Sequence, residues 1–123
     1  MKLTRAEEDI MQIIWQLGPC TVSQIRDFME QSLGQPKPPH SSISTIVRIL
    51  EEKGVLDHKA YGRTYEYFPK ISKEDYSRDS LQKLVTDYFD GSMKRLVSFL
   101  VEEKDLSLRE LNDLIDKLED DRQ

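Results

Sequence analysis

Apolar residues recur through the first fifty positions at the three-and-four spacing of amphipathic helices, and the pattern is interrupted twice. Thr4 with Glu7 forms a capping box, and Ala6, Ile10, Ile13, Ile14 and Leu17 share one side, extended by Met11 and Trp15. This predicts a first helix from Thr4 to about Leu17, closed by Gly18-Pro19. A second box, Thr21 with Gln24, opens a helix carrying Val22, Ile25, Phe28 and Met29 to about Ser32. Gly34, Pro36, Pro38 and Pro39 form a loop that cannot be helical. A third helix then starts afresh, with Ile43, Ile46, Val47 and Leu50 inward and Lys53-Gly54 at its end.

After Gly54 the period changes from helical to two. Val55 to Lys59, a turn at Ala60-Tyr61-Gly62-Arg63, and Thr64 to Phe68 read as a hairpin. Pro69, which has no N–H to continue the ladder, stops its second strand. Three helices closed by a two-stranded hairpin are the order of a winged helix-turn-helix, whose third helix is the reading helix and whose hairpin turn is the wing.

The outer face of the third helix departs from the usual pattern. A solvated helix carries long Glu and Lys side chains, whereas this one shows Ser41, Ser42, Ser44 and Thr45, then Arg48. Capping uses one or two hydroxyls at a helix start, and here they continue to Thr45. A helix entering a major groove needs short polar side chains there, so that its backbone approaches the base edges. These five residues are the candidate base and phosphate contacts, with the Thr45 methyl available to a thymine methyl. Lys59, Tyr61 and Arg63 lie at or beside the hairpin turn, where a wing presents cations to flanking phosphates. His58 lies next to them. The alternative use of such lysines is to keep a sheet edge soluble.

Beyond Ile71 the pattern is purely helical. Ser72 starts a helix with Leu81, Leu84, Val85, Tyr88 and Phe89 on one side, and Asp90-Gly91-Ser92 ends it. A short helix with Met93, Leu96, Val97 and Leu100 follows, and a capping box at Ser107 and Glu110 opens a last one with Leu108, Leu111, Ile115 and Leu118. Three amphipathic helices in about fifty residues bury little by themselves, so their stripes are expected to meet a second copy, the alternative being that they fold back on residues 1–70. The fold class is therefore mostly α with a small β-hairpin. Residues 1–70 are expected to form a winged helix-turn-helix DNA-binding domain and residues 71–123 an all-helical dimerisation domain.

Charge divides along the same line. The net charge of -5 argues against nucleic acid until it is apportioned. Residues 1–70 hold nine Lys and Arg against nine Asp and Glu, and the later residues nine against fourteen. Only the neutral half can present a basic surface to phosphate. Hydrophobic residues make up 37% and charged residues 33%, no apolar run approaches the length of about 20 residues that spans a membrane, and the start lacks a signal-peptide pattern. A cytoplasmic protein is expected. Cys20 has no intrachain partner and reads as a buried structural thiol. His40 and His58 have no cysteine cluster or metalloprotease spacing around them, and no Gly-rich phosphate loop is present, so no enzyme, cofactor, metal site or small-molecule substrate is expected.

At this point the chain resembles the penicillinase and methicillin-resistance repressors of the BlaI/MecI type. "LTRAEEDIMQIIWQLGPCTVSQI" is similar to that family's first two helices, "SSISTIVRILEEKG" to its reading helix, "YGRTYEYFP" to its wing and "DGSMKRLVSFLVEEKDLS" to its dimerisation region. The resemblance implies a dimeric repressor of resistance-type genes bound to a palindromic operator. It also implies release when a membrane-embedded sensor metalloprotease leads to cleavage in the C-terminal domain, in the region of Ser98, Phe99 and Leu100. The family's Asn-Phe cleavage bond is replaced here by Val97-Ser98-Phe99-Leu100. Its reading helix often brings a Trp and a Lys where this chain has Pro38-Pro39-His40-Ser41, so the operator is expected to differ. The clustered C-terminal cysteines of copper-responsive relatives are missing, which removes copper sensing from the expectations. The competing reading of the same fold is a winged-helix adaptor that binds protein rather than DNA.

Overall fold

The computed structural model describes residues 2–103 and, beyond them, residues 107, 109, 110, 112, 113 and 116. Its elements run α1 (Arg5–Leu17), α2 (Val22–Gln31), α3 (His40–Glu52), β1 (Leu56–Tyr61), β2 (Thr64–Pro69), α4 (Lys73–Tyr88) and α5 (Met93–Glu103). The described chain is mostly helical with one two-stranded antiparallel sheet, as the winged helix-turn-helix order requires.

The capping boxes predicted for α1 and α2 both close. Thr4 Oγ1 accepts from the Glu7 amide at 3.2 Å while Glu7 Oε1 accepts from the Thr4 amide at 3.1 Å, and Thr21 and Gln24 repeat the exchange at 3.2 and 2.9 Å. The end of α3 is a Schellman motif. The Val55 amide reaches the Leu50 carbonyl at 3.1 Å, the Gly54 amide reaches Glu51 at 3.0 Å, and Gly54 takes the φ of +84° that this cap requires. Leu50 and Val55, the hydrophobic pair of the motif, are both buried.

Ile10, Met11, Ile13 and Ile14 of α1, Val22 and Ile25 of α2, and Ile43, Val47 and Leu50 of α3 form the core, closed by Cys20, Val55, Leu56 and Tyr67. Trp15, Phe28, Met29 and Ile46 pack half-buried against it. Two expected core positions lie outside. Ala6 and Leu17, in the first and last turns of α1, are exposed. Among the described residues Glu7 is the one charged residue that is buried, and Lys53 Nζ meets its Oε1 at 2.5 Å, joining the start of α1 to the end of α3.

The hairpin is tighter than its sequence suggests. β1 continues through Ala60 and Tyr61, so the turn is Gly62-Arg63 alone, with Tyr61 paired to Thr64. Gly62 at φ +64° takes the first central position, where a two-residue II′ turn needs glycine. Cys20 forms a bridge to Tyr67, with amide-to-carbonyl distances of 2.9 and 2.7 Å, so the segment between α1 and α2 is tied to the hairpin. Trp15 donates its indole N–H to the Ile71 carbonyl at 2.9 Å and packs on Tyr76, which donates to Glu8. These contacts hold the first turn of α4 in the first compact unit, Met1–Tyr76, so the division falls six residues beyond the 70/71 boundary read from the sequence.

The second unit begins at Ser77. At the turn before α5, Asp90 takes φ +52° and pairs with Arg95, and Ser92 caps α5 through the Arg95 amide. Phe89 and Phe99 meet edge to face at 5.6 Å. Val85 is buried, Leu96, Val97 and Leu100 are half-buried, and Leu81, Leu84, Tyr88, Met93 and Phe99 are exposed. The expected stripe residues Leu111, Ile115 and Leu118 lie outside the described residues.

Candidate nucleic-acid interface

α3 is presented from its N-terminal end. Pro38 and Pro39 keep the preceding chain extended, and Pro39 serves as N-cap without a side-chain cap bond. α2 fixes the loop that delivers it: Arg26 Nε donates to the Pro38 carbonyl at 2.8 Å, and Lys37 pairs with Asp27 at 2.7 Å. The hydroxyls of Ser41, Ser42 and Ser44 are therefore not engaged as the cap of this helix, which was their competing use. Ser41, Ser42 and Thr45 are exposed, Ser44 is half-buried, and Arg48 is exposed one turn beyond Ser44. Thr45 Oγ1 donates back to the Ser41 carbonyl at 2.8 Å. Its proton is thereby used within the helix, leaving acceptor lone pairs and a methyl for an outside partner.

A groove runs between α3 and the hairpin. His40, Ser44 and Arg48 line it from α3, Thr21 and Ser23 from the start of α2, and Arg63, Thr64 and Tyr65 from the wing. Three residues expected to touch DNA, Ser44, Arg48 and Arg63, thus share one concave face. Lys59 and Tyr61 do not line this groove. In the register Lys59 stands opposite Glu66, a cross-strand pair of opposite charge, and Tyr61 stands opposite Thr64, 60% exposed next to the turn. His58 is engaged elsewhere: its Nδ1 bonds Glu51 of α3, and its ring stacks on Tyr65 at 4.1 Å and 17°.

The electrostatics of the groove follow from this placement. Burial raises the Tyr67 pKa, the Glu51 carboxylate raises it further, and the Arg48 guanidinium opposes both, so the phenol stays neutral beneath the groove. Burial, aided by the Glu66 charge, pushes the Cys20 thiol to about 11. The arrangement offers an anion two guanidiniums from different elements, and offers base edges a helix start with small side chains.

Sequence reading missed His40 in this groove. It lies at i−4 from Ser44 and i−8 from Arg48, a spacing that places all three on one helical face and that was legible in advance. Thr21 and Ser23 had no comparable signal, because only the packing of α2 against the hairpin brings them there.

The sequence profile described as penicillinase repressor matches residues 3–120. The penicillinase repressor of Bacillus licheniformis is 28% identical over 120 residues, spanning 97% of this chain and 91% of that protein. The methicillin resistance regulatory protein MecI of Staphylococcus aureus (strain N315) is 25% identical over 114 residues, spanning 92% of this chain and 89% of its own length. Among solved structures, the DNA-binding domain of the repressor BlaI superposes with a TM-score of 0.50 at 25% identity, covering 61% of this chain and 88% of that domain.

Proposed function

The chain belongs to the penicillinase repressor family, and on that premise we propose that it is a homodimeric repressor that places α3 of each protomer in successive major grooves of a palindromic operator. The observation that carries this reading is the shared face of Ser44 and Arg48 on α3 with Arg63 on the wing. Ser41, Ser42, Ser44, Thr45 and Arg48 meet base edges and phosphates from the helix, and Arg63 meets the flanking phosphates from the wing. Lys59 and Tyr61 extend the wing's contact beyond the groove. Half-sites are separated by about one helical turn of 10 bp or a multiple of it.

Dimerisation is assigned to the second unit. Leu81, Leu84, Tyr88 and Met93 are exposed in the single chain although they are the residues that would normally be covered, and with Val85, Leu96, Val97 and Leu100 they make the apolar face that a second copy buries. Leu111, Ile115 and Leu118 continue that assignment from the sequence. The targets are genes of the β-lactam-resistance type, which the family's names support. No described helix is long and apolar enough to cross a membrane, and a repressor acts on DNA in the cytoplasm. A sensor metalloprotease would release the repressor by cutting near Ser98, Phe99 and Leu100. These residues lie within α5, so cleavage there requires that helix to open.

The test uses the full-length protein and a dyad duplex recovered by binding selection. Two chains bound per duplex, with a large loss of affinity when one half-site is scrambled, are expected. One chain per duplex at unchanged affinity would contradict the proposal.

A further inference from the structure

One side-chain cluster lies outside the DNA-facing groove and is unused by it. Glu51 in the last turn of α3 and the adjacent Asp57 and His58 of β1 bring a ligand atom each to within 4.8 Å of one another. The three come from two different elements, and the pairing of β1 with β2 fixes the strand that carries two of them. His58 is held by its stack on Tyr65 and by Nδ1 against Glu51 Oε1. Asp57 Oδ1 accepts the His58 amide at 2.8 Å, which orients that carboxylate.

Two carboxylates at this separation repel each other, and a divalent cation between them cancels both charges. Donors that share one ion at about 2.0–2.2 Å from it stand about 3–4 Å apart, so small side-chain rotations close the set. An imidazole among the donors selects a borderline transition ion over magnesium or calcium, whose ligands are oxygens.

We propose that Glu51, Asp57 and His58 form a binding site for one divalent transition ion of the zinc and cobalt(II) class, joining the end of the reading helix to the base of the wing. The carboxylates bind ionised and the imidazole as the neutral ring. Three protein donors leave the remaining positions to water, so the site exchanges its ion rather than burying it. The proposal concerns metal binding alone and stands or falls independently of the DNA reading.

The experiment titrates metal-stripped full-length protein with cobalt(II), followed by visible absorption and then by displacement with zinc. One ion per chain is expected, without the thiolate charge transfer that binding at Cys20 would give. His58→Gln and Glu51→Gln are each expected to weaken binding by at least about tenfold, while His40→Gln leaves it unchanged. Far-UV circular dichroism checks that the variants are folded. For any variant that is not, nuclear magnetic resonance of the wild type replaces it, with the His58 ring signals broadening first on cobalt addition. No saturable binding of either metal below about 100 µM would overturn the proposal, as would equal affinity in folded His58→Gln, loss in His40→Gln, or broadening that spares His58.

Discussion

Arg63 occupies the second position of a two-residue turn, exposed at the tip of the wing and lining the groove that Arg48 lines from the helix. Arg63→Ala deletes one guanidinium from each protomer, and so two from the proposed dimer on a dyad site. Each phosphate neutralised by a protein cation contributes about 0.9 to the slope of log affinity against log salt, so the variant's slope should be shallower by about 1.8. Between about 50 and 200 mM salt, a slope difference of that size makes the wild type lose about 12-fold more affinity than the variant. The defect of Arg63→Ala is therefore largest at low salt and shrinks as salt rises. Fluorescence anisotropy of a labelled dyad duplex at five salt concentrations measures both slopes. Arg48→Ala should flatten the slope similarly. Parallel lines for both variants would refute the contact assignment, even if both bound more weakly.

Leu50→Ala, at a fully buried position of the α3 cap, should destabilise the protein by about 2–5 kcal/mol in urea unfolding, and a loss below about 1 kcal/mol would mean that the site is not packed as described. The Lys53 ammonium, with the Thr4 amide, holds the Glu7 carboxyl below its ordinary value of 4.5. A carboxylate depressed on folding adds stability that is complete above that value and is lost as pH falls through the folded-state pKa. Glu7→Gln should therefore be less stable than wild type at pH 7, with the gap narrowing below about pH 4.5; a gap independent of pH would contradict the pairing. Cys20, raised from 9.0 to about 11, should carry about 100-fold less thiolate at pH 8 than an ordinary thiol, and rapid labelling of the native protein by a thiol reagent would show that it is not buried.

Helix starts were the most legible part of the fold, because a capping box is local and both halves of it stand in the sequence. Thr4 with Glu7 and Thr21 with Gln24 close as read. The ends of apolar stripes were less legible. Ala6 and Leu17 fit the α1 stripe by angle yet are exposed, because burial depends on which neighbouring elements cover each position, and periodicity does not encode that. The hairpin turn was placed two residues too early on its first strand, since a glycine marks a turn without stating its length. The bridge of Cys20 to Tyr67 left no local signal, because a pairing of two residues has no period. At the interface, the hydroxyl run on α3 and the arginine of the wing were visible as residue types out of place. Their convergence, the inclusion of His40, and the engagement of His58 with Glu51 arise from packing between α3 and the hairpin.

The central claim is that α3 and the wing read a dyad-symmetric DNA sequence as a pair. Sheared DNA from the source organism, passed over the purified full-length protein at about 150 mM salt where nonspecific binding is weak, tests it most directly when the retained fragments are sequenced. Enrichment of one sequence with two-fold symmetry, its halves about 10 bp or a multiple of that apart, is the predicted result. Retention of random fragments, or of none, would contradict the claim and turn the same α3 face into a surface for a protein partner.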